Sequence, residues 1–133
     1  MSALYPKAKE AFLSGTIALT SDTIKAALLN ATDEPYTSTD QYKSAVTSYG
    51  ASTDVTLSAG KSVTNGVFDA NDVTFSAVAV DSGKAANALV IYKDTGSAAT
   101  SPLIAYIDGF TVTPNGGDIT VSWDSGASKI FAL

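Results

Sequence analysis

The second half of the chain alternates apolar and hydroxyl residues with a period of two, and turn signals interrupt it at short, regular spacing. Val73, Phe75 and Ala77 alternate with Thr74 and Ser76, and Ile119, Val121 and Trp123 alternate with Thr120 and Ser122. An extended strand puts successive side chains on opposite faces, so each segment predicts a strand with one core face and one wet face. Asp81-Ser-Gly83, Asp94-Thr-Gly96, Asp124-Ser-Gly126, Asn65-Gly66 and Pro114-Asn-Gly-Gly117 supply the punctuation. In such turns Gly takes the positive φ while Asp or Asn bonds back to the turn backbone. Short strands at this spacing point away from helical bundles and parallel α/β sheets and toward a sandwich or barrel.

Further candidate strands are Thr16–Thr20, Thr23–Asn30, Val55–Leu57, Ser62–Thr64, Gly66–Phe68, Ala88–Lys93, Leu103–Ile107 and Ser128–Phe131. Leu103–Ile107 is apolar on both faces, so it is expected to be a central strand or one covered by a partner. The one strong helical signal lies at about Tyr5–Ser14, with Pro6 at the first helical position and Gly15 just past the end. Leu4, Ala8, Ala11 and Phe12 share its apolar face. Between 31 and 54 hydrophobic density falls, and a polar loop is expected there, with Thr39 or Asp40 capping a short helix through Val46. The expectation is a mainly β protein: a jelly-roll-like β-sandwich of about eight strands in a single domain, 1–133. The N-terminal helix falls in 1–15, the sandwich in 16–133 and the polar loop at about 31–54.

Composition narrows the chemistry. The 133 residues contain no His and no Cys, and all eight basic residues are Lys. The imidazole base, the thiolate nucleophile, Cys/His zinc sites and the Arg fork are therefore absent. A net charge of −5 with scattered lysines argues against binding nucleic acid. No apolar run reaches the roughly 18 residues of a membrane helix, and the N-terminus lacks the apolar core of a signal peptide, so neither a membrane partner nor a leader is expected.

The remaining motifs are weak. Asp69-Ala-Asn-Asp72 resembles the opening of a calcium loop, but Thr74 stands where Gly is needed and Asp81 where a bidentate Glu belongs, so a strand-connecting turn is favoured. Asp108, Asp118 and Asp124 could supply the two carboxyls of a glycosidase only if they converge. Lys61-Ser62 is an adjacent pair that a strand would point to opposite faces, and no Gly-x-Ser-x-Gly elbow occurs. Asn30-Ala-Thr32 matches a glycosylation sequon by chance. No cofactor, metal or catalytic residue is assigned, and no enzymatic activity is expected.

Phe12, Phe68, Phe75, Trp123 and Phe131 sit at core-like positions, whereas Tyr36, Tyr42 and Tyr49 cluster in the polar segment. These three tyrosines either fold the loop down or form a contact surface for protein or for sugar rings.

The stretches Tyr5–Gly15, Asp22–Leu29, Val63–Phe75, Ala88–Gly96 and Gly116–Trp123 together resemble small virion proteins of tailed bacteriophages, over nearly the whole chain. The resemblance implies a β-sandwich structural protein of the particle, a cement or decoration protein on the capsid exterior. Its implied partners are the major capsid protein and its own copies, as a homotrimer. Leu4, Ala8 and Phe12 on the helix, with Tyr36, Tyr42 and Tyr49, are the expected contacts. A tail, neck or baseplate component and a carbohydrate-binding module are the alternatives.

Overall fold

The computed structural model describes residues 2–50, 52–123 and 129–132. The chain is mainly β, with ten strands and one short α-helix among the described residues. Strands β1 (Ser2–Leu4), β2 (Ile24–Leu29), β3 (Val55–Thr56), β7 (Ala86–Lys93) and β8 (Leu103–Val112) form an antiparallel sheet in the order β1-β8-β7-β2-β3. Strands β4 (Ser62–Thr64), β5 (Val67–Asp69) and β10 (Phe131–Ala132) make a second sheet, and β6 (Val73–Phe75) pairs with β9 (Ile119–Val121). The fold is sandwich-like, with its strands divided five, three and two.

The large sheet is buried on both faces. Cross-strand partners share a face, and β2 pairs with β7 from Ile24↔Lys93 to Leu29↔Ala88. One face therefore carries Ala27, Leu29, Ala88, Val90 and Tyr92, with Tyr106 of β8 opposite Val90. The other carries Ile24, Ala26, Leu28, Leu89, Ile91 and Ala105. All of these side chains are buried, in one hydrophobic cluster that also takes in Phe68, Phe75, Ile119 and Phe131 of the smaller sheets.

The first face is covered by the polar segment, which does more than the expected loop. The Tyr92 hydroxyl donates to Asp54 Oδ2 at 2.6 Å, and Ser48 donates to Oδ1 of the same carboxylate. Tyr106 donates to the Glu34 carbonyl, and Lys43 lies 5.8 Å from the Tyr92 ring centre. Burial pushes the Tyr5 and Tyr92 hydroxyls well above the ordinary tyrosine range and raises that of Tyr106; for Tyr92 the Asp54 carboxylate adds to the effect.

Helix α1 spans Pro6–Leu13, with Pro6 in its first turn as the sequence predicts. Its end is a Schellman closure: the Thr16 N–H bonds to the Ala11 carbonyl and the Gly15 N–H to that of Phe12. Before the helix, β1 pairs with β8 from Ser2↔Ile107 to Leu4↔Ala105.

Two expectations are corrected and a third is met. Thr16–Thr20 is not a strand, because Asp22 accepts the Ala18 N–H at 2.7 Å while the Ser21 and Asp22 amides return to the Ala18 carbonyl, closing a tight corner. Neither Thr39 nor Asp40 caps a helix; a single 3-10 turn, Lys43–Ala45, follows Tyr42 without a side-chain cap. Leu103–Ile107 is a central strand, one of its two expected readings: β8 lies between β1 and β7, and Leu103–Tyr106 are buried within the chain by β7, β1 and α1. The Asp124-Ser-Gly126 turn and the start of the Ser128–Phe131 strand lie outside the described residues.

Candidate contact surface

An apolar groove of about 170 Å³ opens where the helix, the corner after it and the second sheet meet. Phe12 comes from α1, Ile17 and Leu19 from the corner, Val63 and Gly66 from the β4–β5 hairpin, and Phe68 and Phe131 from β5 and β10. Every lining residue is apolar or Gly. The aromatic floor is packed: Phe131 lies 5.4 Å from Phe68 and 6.3 Å from Phe12, ring centre to ring centre. The volume is on the scale of the ~150 Å³ apolar cavity that takes a benzene ring, so one branched or aromatic side chain fits. Of the lining residues Val63 is 50% exposed; Leu13, outside the lining and on the polar side of the helix, is 88% exposed, the most exposed of the large apolar side chains described.

The walls are held rigidly. On one side Lys93 Nζ bonds to the Thr16 carbonyl at 2.9 Å and pairs with Asp22 at 3.3 Å, while Lys61 Nζ bonds to the Asp22 carbonyl at 2.7 Å. These two lysines, scattered in sequence, converge on the corner that presents Ile17 and Leu19. On the other side Asn65 and Gly66 both take positive φ, 51° and 78°, giving the hairpin a type I′ turn between the paired Thr64 and Val67.

The expected contact residues are only partly brought together here. Phe12 lines the groove. Ala8 is fully buried and is core rather than contact, and Leu4 is half-buried in β1. Tyr36 packs against Tyr5 and Tyr106 at 5.1 and 5.8 Å and donates to the Leu4 carbonyl. Tyr49 is buried, donating to the Lys84 carbonyl and accepting the Asp81 N–H. Of the three tyrosines only Tyr42 is exposed, beside the bridge its backbone makes with Pro102. Tyr36 and Tyr49 thus fold the segment down, and no three-tyrosine stacking platform forms. Ile17, Leu19 and Val63 are the groove residues that sequence reasoning missed.

The carboxylates and amides serve turns. Asp69 accepts the Ala70 N–H, Asp72 the Trp123 N–H, and the Trp123 indole N–H donates to the Asn71 carbonyl. Asp118 accepts the Ala77 N–H; Asp124, its expected partner, lies outside the described residues. Asp94 accepts the Gly96 N–H, and that bond, helped by Lys25 at 3.3 Å, holds its carboxyl below the usual range. Lys61 is engaged by Asp22 rather than poised as a base for Ser62. Asn30 donates to the Ala85 carbonyl and accepts the Thr32 and Asp33 amides, so the sequon amide is committed. Among the described residues no three metal-ligating side chains cluster, and no helix is long and apolar enough to cross a membrane. Compared with known proteins, the sequence matches no family model and no curated protein.

Proposed function

We propose that this chain is a structural protein of a tailed-phage virion, of the cement or decoration type, which binds the outside of the shell and bridges capsomers. The observation that carries the reading is the apolar groove with Val63 exposed on its wall, on a body whose described lysines and carboxylates are largely engaged in local bonds. A rigid socket with an apolar rim suits packing contact, where one anchoring side chain in a desolvated pocket dominates binding. The acidic surface without Arg suits an exterior position, away from packaged nucleic acid. The major capsid protein is the partner proposed for this groove, and self-association as a homotrimer is the proposed route to bridging. The covered strand Leu103–Tyr106 lends no support to that trimer, which rests on the resemblance alone.

The test mixes purified protein with undecorated capsids and follows co-sedimentation and capsid thermal stability. Wild type is expected to co-sediment and raise the melting temperature of the shell. Val63→Asp, at an exposed position of the groove wall, is expected to keep the fold by circular dichroism and to lose about 2 kcal/mol or more of binding. Wild-type protein that ignores heads but binds isolated tails would make it a tail component and overturn the cement reading.

A further inference from the structure

The β4–β5 hairpin that walls the groove carries a reactive dipeptide at its tip. We propose that Asn65 is a site of self-catalysed modification, in which the Gly66 backbone nitrogen attacks the Asn65 side-chain amide. In this step Gly66 N gives up its proton to water and bonds to Asn65 Cγ. The Cγ–Nδ2 bond breaks, ammonia leaves with a proton from solvent, and a five-membered succinimide remains. Water then opens the ring at either carbonyl, leaving aspartate in the ordinary chain or isoaspartate with the chain rerouted through the side chain. The sum is amide plus water giving carboxylate plus ammonium, with no change of oxidation state.

Two Asn-Gly dipeptides occur in the chain, Asn65-Gly66 and Asn115-Gly116, and the fold treats them differently. The Gly116 N–H donates to the Val78 carbonyl at 2.7 Å, and Asn115 Oδ1 accepts the Gly117 N–H at 3.0 Å. There the attacking nitrogen and the electrophile are both held, and both bonds must break before reaction. The Gly66 N–H has no hydrogen-bond partner among the described residues, and the Asn65 side chain is tied to nothing in the hairpin. Asn65 must still turn its ψ and χ1 for Gly66 N to meet Cγ. That costs little at the tip of a hairpin with three-residue strands, one of which, β4, is exposed along its whole length. The remaining asparagines precede a residue with a Cβ: Asn30 before Ala31, Asn71 before Asp72 and Asn87 before Ala88. Asn30 and Asn87 are further held by hydrogen bonds. Asn65 itself borders the shallow depression lined by Ser62, Thr64, Val67, Asp69 and Lys129, so the product places its new negative charge there, next to the groove wall that Gly66 forms.

Incubating the whole protein at mildly alkaline pH and mapping its tryptic fragments reads this directly. Fragment 62–84 carries Asn65 and fragment 94–129 carries Asn115. The folded protein is expected to convert Asn65 to aspartate and isoaspartate roughly tenfold faster than Asn115, the factor that one retained hydrogen bond supplies. In urea the two rates are expected to converge. Asn65→Ser is expected to abolish the mass gain in fragment 62–84, which excludes Asn71 as its source. Equal conversion in the folded protein, faster conversion at Asn115, or a ratio that persists in urea would each overturn the assignment.

Discussion

Asp54 is the residue through which the polar segment is fastened to the large sheet, and its two oxygens serve two different elements. Tyr92 reaches it from the sheet at 2.6 Å and Ser48 from the segment at 2.8 Å. A hydrogen bond to a charged acceptor is short and worth more than a neutral one. Tyr92→Phe removes the bond while keeping the ring that Lys43 lies against, so it is expected to cost about 1.5 kcal/mol by chemical denaturation. A loss below about 0.5 kcal/mol would show that water replaces the hydroxyl without penalty. None of this was legible in the sequence, because Tyr92 and Asp54 are 38 positions apart and neither belongs to a pattern.

At the scale of elements, the readable parts were those whose signals are local. The Pro6 start and Gly15 end of the helix, the alternation of Val73–Phe75 in β6 and Ile119–Val121 in β9, and the Asn65-Gly66 hairpin each follow from a few adjacent residues, although Ala77, expected on the core face of the first segment, is exposed in a turn beyond β6. The Thr16–Thr20 segment has the alternation of a strand, yet the Asp22 side chain takes the Ala18 amide and bends the chain. The missed β1 is three residues long and exists only because β8 offers it an edge. The groove was hidden for the same reason: its lining comes from five elements and no one of them announces it. A second local device is the turn after β6, where Ala77 takes φ 48° and its N–H bonds to Asp118. An L-residue with a Cβ pays roughly 1–2 kcal/mol for that conformation, of which glycine recovers most at an entropic cost of roughly 0.5–1 kcal/mol. Ala77→Gly is therefore expected to raise stability by about 0.5 kcal/mol, read as a higher denaturation midpoint with an unchanged slope.

Across the whole molecule, three buried tyrosines make the fold sensitive to alkali. Tyr5, Tyr92 and Tyr106 are each no more than 5% exposed, and burial raises all three above their ordinary value of 10.0. Between that value and the raised ones the folded chain keeps protons that the unfolded chain has already released. The unfolded state then binds fewer protons, so stability falls as pH rises. The contribution is fully present below pH 10, the unfolded value, and is lost upward through the folded ones, at about 1.4 kcal/mol per pH unit for each proton retained. Tyr5 isolates the effect, because its hydroxyl makes no hydrogen bond among the described residues and Tyr5→Phe removes only the ionisable group. Denaturation curves at stepped pH from about 8 to 11 are expected to coincide for wild type and Tyr5→Phe at the lower end. Above pH 10 the variant is expected to lose stability less steeply, by about 1.4 kcal/mol per pH unit. Parallel curves throughout would mean that Tyr5 ionises as freely in the fold as out of it, which its burial beneath Tyr36 argues against.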